Sequence, residues 1–253
     1  MLSPTEPAPA RKSIPQVDFE LDDFDADEEK YLDFYRQVAV NEDMLVPLAE
    51  HHTPNSAHSY YIVFDRTATY GHPGMPQYVA VHLKRDREKE TFDFEQAQLP
   101  LPAMAQSWLI HRGCPPDAIG LNPELRPTPA DETTRALERR LAGDGDHYAM
   151  GYSYTYDDPD DMVTVVALRA LDERTLSQFR VVVEEVDTDA WTHTLREGGF
   201  DTVGAALQWC DDRLTGDAGP LPPVRPAAAA AAAAACPAGV ARAPAPRPPG
   251  RSR

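Results

Sequence analysis

The chain has little sulfur, no long apolar run and no excess of basic charge. Its three cysteines, Cys114, Cys210 and Cys236, are odd in number, widely spaced and form no C-x-x-C, which argues against a disulfide framework and a thiolate zinc site. Such thiol usage fits a reducing cytoplasm. The longest apolar run is the alanine tract Ala227 to Ala235, far short of the roughly 20 residues of a membrane span, so no membrane association is expected. The opening stretch MLSPTEPAPARKS lacks an apolar core before a small-residue cleavage site, and no secretory signal is expected. The P-loop, G-x-G-x-x-G, G-x-S-x-G and kinase signatures are all missing, as is any H-x-H or H-E-x-x-H pair, so the common nucleotide, acyl-transfer and zinc chemistries lack their hardware. No cofactor and no metal is expected.

What is present is acid, and it is unevenly distributed. The formal charge of −17 comprises −9 in residues 1 to 50, −13 in residues 51 to 218 and +5 from residue 219 onward. That balance repels a phosphate backbone and leaves nucleic acid at most a weak contact through Arg242, Arg247, Arg251 and Arg253 of the tail. The tail holds nine of the 25 prolines, and its Ala, Arg and Pro bias also fits drift in a high-GC bacterial genome. At the other end, Asp18 to Glu29 interleaves carboxylates with Phe19, Leu21 and Phe24, a composition that implies disorder or a loosely docked strand. Its Asp23, Asp25, Asp27 spacing resembles the opening of a calcium loop, but Glu28 stands where the turn needs glycine and Phe34 where a bidentate Glu belongs. The expected organisation is an acidic disordered arm over 1–27, α+β units over 28–143 and 144–218, and a basic, disordered Pro/Ala-rich tail over 219–253.

Within the body, helical spacing of Tyr31, Leu32, Tyr35 and Val38 predicts a helix over Glu28–Val40, ending before Leu45-Val46-Pro47. Three β-rich segments follow, Ser59–Arg66, Gln77–Lys84 and Glu90–Ala97, then helices over Pro102–Arg112 and Ala130–Ala142. Three more strands are expected over His147–Tyr156, Met162–Leu171 and Ser177–Val186, then helices over Asp189–Glu197 and Asp201–Leu214, parted by Gly198-Gly199. Both halves thus read strand, strand, strand, helix, glycine, helix. This order suggests two tandem units, although meanders with helical caps are common enough to arise separately. Connections too short for parallel crossovers give an α+β fold with antiparallel sheet.

Few residues offer chemistry. Strict alternation puts Tyr148, Tyr152, Tyr154 and Tyr156 on one strand face, where they form either an aromatic platform for a ligand or partner or simply a packed core. His111 and Cys114, in WLIHRGCPP, are the nearest approach to a base and nucleophile, yet nothing nearby orients the base. His82 is a further candidate for a pocket. The acids Asp157, Asp158, Asp160 and Asp161 around Pro159 read as a hairpin tip. These features favour a noncatalytic cytoplasmic protein-binding or regulatory protein. Two alternatives stay open: an acidic nucleic-acid mimic that occupies a basic protein, and a small-molecule-binding protein or enzyme with a Tyr/His-lined pocket.

Overall fold

Two antiparallel meanders form the body of the protein, each built from the alternating β-branched and aromatic runs noted above. The computed structural model describes residues 15–143, 148–158, 161–171 and 177–225. The first sheet runs β1 (Leu45–His52), β2 (His58–Asp65), β3 (Tyr78–Asp86) and β4 (Thr91–Leu99), in that spatial order. The second contains β5 (Thr128–Pro129), β6 (Tyr148–Asp158), β7 (Asp161–Ala170), β8 (Phe179–Asp187) and β9 (Thr192–Phe200), ordered β5-β9-β8-β7-β6. Only the short β5 pairs in parallel within this sheet. The helices are α1 (Glu28–Gln37), α2 (Ala68–Gly71), α3 (Pro102–Ile110), α4 (Glu132–Gly143) and α5 (Val203–Thr215). This is the expected α+β class with antiparallel sheet.

Two elements differ from the sequence reading. Residues 45–52, treated as a break after the first helix, form β1; Pro47 is tolerated because β1 is an edge strand and bulges between Pro47 and Ala49. The helix expected over Asp189–Glu197 is instead a hairpin turn and β9. His193, Leu195 and Phe200 of β9 are buried, the near-alternation of a half-buried strand, and its Gly198-Gly199 pair is not a helix stop: the Gly199 N–H donates to the Pro222 carbonyl at 3.1 Å.

The layers follow from which strand face each helix covers. Residues 15–27 and α1 lie on the front of the first sheet, where Val17, Phe19, Phe34 and Val38 meet Tyr61, Val81, Leu83, Phe92 and Phe94. From residue 15 on the acidic arm is therefore a docked, mostly irregular segment with one bridge, Asp25 paired in parallel with Thr91; residues 1–14 lie outside the described residues. Helix α3 covers the back of that sheet through Ala105 and Leu109. Helices α3 and α4 then meet the front of the second sheet, where Leu137 and Leu141 pack on Val166, Val182 and Leu195. Fully burying each such leucine is worth about 1.5–3 kcal/mol. Helix α5 closes the back of the second sheet with Ala206 and Cys210. Residues 219–225 of the tail continue onto this side, with Leu221 packed against the same core, and the rest of the tail lies outside the described residues.

Each half therefore reads helix, four-stranded meander, helix, and α4 opens the second. Matching details recur. The β3–β4 turn starts at Asp86, whose Oδ1 accepts from the N–H groups of Glu88 and Lys89 at 3.1 and 3.2 Å. The β8–β9 turn starts at Asp187, whose Oδ1 accepts from Asp189 and Ala190 at 3.1 and 2.8 Å. Both turns pass through a left-handed residue, Glu90 and Trp191, each with φ of 52°, and both end on threonine. Ahead of each opening helix comes Ala-Asp-Glu: Asp27 Oδ1 caps the Lys30 N–H at 2.9 Å and Asp131 Oδ1 caps the Thr134 N–H at 2.7 Å.

Candidate binding site

The front faces of the two sheets differ sharply in what they bury. Three residues before the turn aspartate stands Leu83 in the first half and Glu184 in the second. One residue after the turn threonine stands Phe92 in the first and His193 in the second. Seventh in the covering helix comes Phe34 in the first and Glu138 in the second. The first trio is hydrocarbon, with Phe34 edge-on to Phe92 at 5.5 Å between ring centroids. The second trio is charged, with His193 1% and Glu184 6% exposed and Glu138 partly buried above them.

These charges are wired together. His193 Nδ1 donates to Glu184 Oε1 at 2.8 Å, and Nε2 donates to Glu138 Oε1 at 3.2 Å. Arg126, from the segment leading into β5, pairs with the same Glu138 oxygen, its Nη2 standing 2.9 Å from His193 Nε2. Burial opposes a charge on His193, but the hydrogen bonds to Glu138 and Glu184 outweigh burial and the repulsion from Arg126, lifting its pKa to about 9. Burial pulls Glu138 upward too, yet His193 and Arg126 hold it below the usual glutamate value. The result is a neutral quartet of two cations and two carboxylates.

Arg126 and Glu184 also line a cavity of about 290 Å³ between the two sheets. Its walls include Leu48, Phe64 and Tyr78 from the first half and Met162, Val186 and Trp191 from the second. Burial, with Glu184 second, drives the Tyr78 hydroxyl strongly upward, so it stays neutral; among the described residues it makes no hydrogen bond. The β2–β3 loop, which carries α2, closes one side by docking on β6: Thr155 N–H donates to the Gly74 carbonyl at 3.2 Å, and Gln77 Nε2 and Thr69 Oγ1 donate to Asp157 Oδ2 at 2.7 and 2.9 Å.

The tyrosine row expected on one face of β6 is divided by a bulge between Met150 and Tyr152, which shifts the alternation by one residue. Tyr148 faces the front core, under the Arg180 guanidinium at 4.5 Å from its ring centroid. Tyr152 and Tyr154 face the back core. The Tyr154 ring lies so close to Gly74 that an added β-carbon there would meet it at 2.5 Å. Tyr156 is exposed at the rim of the inter-sheet cavity. His147, the first residue of the expected strand, lies outside the described residues.

The remaining candidates lie elsewhere. His111 Nδ1 contacts the Ser107 carbonyl at 2.7 Å and, with Ser107, Trp108, Tyr148 and Met150, lines a second cavity of about 240 Å³. Cys114 is buried, its thiol directed at the Pro115 carbonyl and pushed up to about 11 by burial, which disfavours the thiolate. His82 is buried in the first sheet, stacked on Tyr60 at 4.5 Å, with Nε2 3.0 Å from His58 Nδ1. Burial, with Lys84 and His58, lowers its pKa to about 4. Among the described residues no group of three or more His, Cys, Asp or Glu side chains is placed to hold a metal ion.

Sequence reasoning thus did not single out Arg126, Glu138, Glu184 or His193. The usable signal was internal: aligning the two Asp-x-x-x-x-Thr turns places a charged residue opposite Leu83 and a histidine opposite Phe92. Comparison with protein-family models, curated proteins and solved structures gives no match.

Proposed function

We propose that this is a noncatalytic small-molecule-binding protein whose ligand enters the cavity between the two sheets. The observation that carries the reading is that, at matching positions of the two halves, the hydrocarbon trio Phe34, Leu83 and Phe92 is replaced by Glu138, Glu184 and His193, which with Arg126 form an ionic quartet beside that cavity. A buried ion network is weak as a source of stability, since well-packed apolar residues of similar volume often serve as well or better. The first half provides that apolar solution. Retaining charge in the second half therefore points to a role in recognition, and an apolar cavity with a few converging polar groups is the usual form of a ligand site. Thermal unfolding against a metabolite set tests this: the wild type should gain several degrees with at least one compound, and R126M/E138L/E184L/H193F should not. Absence of any stabilising compound would count against the reading.

A second reading, a protein partner, is supported by α1. Tyr31, Leu32 and Tyr35 are exposed on its outer side beside Glu28, Glu29 and Asp33, a mixture of aromatic and acidic groups suited to a basic partner. Y31A/Y35A should abolish capture of such a partner while leaving the unfolding midpoint within a degree of wild type. The buried free thiols Cys114 and Cys210 support a cytoplasmic setting for either reading.

A further inference from the structure

The charges at the cavity mouth, unlike those at its floor, are not paired with each other. Arg66 is exposed at the mouth and lines the cavity; among the described residues its guanidinium has no ion-pair partner. Asp157 lines the same mouth, and the donors it engages, Gln77 and Thr69, are neutral, so its negative charge is solvated but not compensated. The floor behaves differently. Arg126 and His193 balance Glu138 and Glu184, so that end carries no net charge and meets the ligand through the polar edges of Arg126 and Glu184, which line the cavity. Between floor and mouth the surface is mostly hydrocarbon and aromatic, with the unpartnered Tyr78 hydroxyl as one polar handle. Trp191 guards the rim in a left-handed conformation that disfavours a bulky side chain, at the position where the first half carries Glu90.

Resting on the small-molecule reading, we propose that the cavity takes a small zwitterion with an apolar body, the simplest such molecule being an α-amino acid with a large apolar side chain. Its carboxylate meets Arg66 in a charge-assisted hydrogen bond, its ammonium meets Asp157, and its side chain displaces water from the Phe64, Tyr78 and Trp191 walls. A lone carboxylate would satisfy Arg66 and leave Asp157 facing an apolar group, and a lone amine would do the reverse. Specificity for the zwitterion thus comes from the charge left unpaired by each truncated analogue.

The test is titration of the full chain, followed by calorimetry or by chemical-shift changes in the Trp191 indole, with four probes: L-phenylalanine, N-acetyl-L-phenylalanine, 2-phenylethylamine and benzyl alcohol. L-phenylalanine should bind at least ten-fold more tightly than any of the other three. Arg66→Gln should reduce its affinity at least ten-fold and leave 2-phenylethylamine unaffected; Asp157→Asn should do the same and leave N-acetyl-L-phenylalanine unaffected. Equal affinity for all four probes, or a stabilising metabolite that is not a zwitterion and outcompetes phenylalanine, overturns the ligand class while the cavity reading stands. If no probe and no metabolite perturbs Trp191, both fail together.

Discussion

His82 and His193 are both buried on central-facing strands, one in each half, and they are held in opposite charge states. His82 sits against Tyr60 and another histidine, with Lys84 nearby, and is neutral at pH 7. His193 sits between two glutamates and is protonated well above it. The contrast extends to one patch of each face: the first half sets Phe34 of α1 on Leu83 and Phe92, whereas the second sets Glu138 of α4 on His193 beside Glu184. Since a common helix–meander–helix frame tolerates either filling, the frame itself does not require the charges.

The largest expected break in this comparison comes from removing one member of the quartet. Glu138→Leu leaves Arg126 and His193 short of a counter-ion and should cost about 3–5 kcal/mol in urea unfolding, the usual penalty for orphaning a buried charge. Phe34→Ala, at the matching place in the first half, should cost about the same through lost packing and a cavity. The two losses differ in remedy. Only the first should be reversed by removing further partners.

The next effect is pH dependence, and its sign differs between the halves. The folded pKa of His193, about 9, lies above its ordinary value near 6.5, so its stabilisation is complete below pH 6.5 and lost as pH rises toward 9. The shift corresponds to roughly 3 kcal/mol. His82, at about 4, must stay neutral to remain buried, so its contribution is complete above pH 6.5 and lost as pH falls toward 4. Urea midpoints at pH 5, 7 and 9 should show His193→Gln flattening the alkaline limb and His82→Gln flattening part of the acid limb.

Much of the fold could be read in advance, and the failures have local causes. Segments such as Ser59–Arg66 and Met162–Leu171 declared themselves by dense β-branched and aromatic content. β1 was hidden by Pro47, which signals a break unless the strand is known to be an edge. β9 was hidden because Asp189 at the start and Gly198-Gly199 at the end imitate helix punctuation, although Thr192, Thr194 and Leu195 carry strand preference. The tyrosine row failed at Gly151, where a bulge alters the alternation. The quartet was harder, since Arg126 and His193 meet only through tertiary packing of four segments. Reading each half with three strands rather than four also displaced the alignment that sets Leu83 opposite Glu184.

The smallest effect concerns the two equivalent turns. Glu90→Gly should stabilise the protein by roughly 0.5–1 kcal/mol, since glycine accepts φ of 52° without a side-chain penalty. Trp191→Gly should gain less, or nothing, because it surrenders the indole at the cavity rim. Equal gains at the two turns would remove the case for Trp191 as part of a binding wall.

Whether the charged filling serves binding and not folding is decided by urea unfolding of R126M/E138L/E184L/H193F. A charged filling that serves binding leaves this variant with a cooperative transition and stability equal to wild type or greater by about 1–4 kcal/mol. A loss of several kcal/mol, or a broad noncooperative transition, would contradict it.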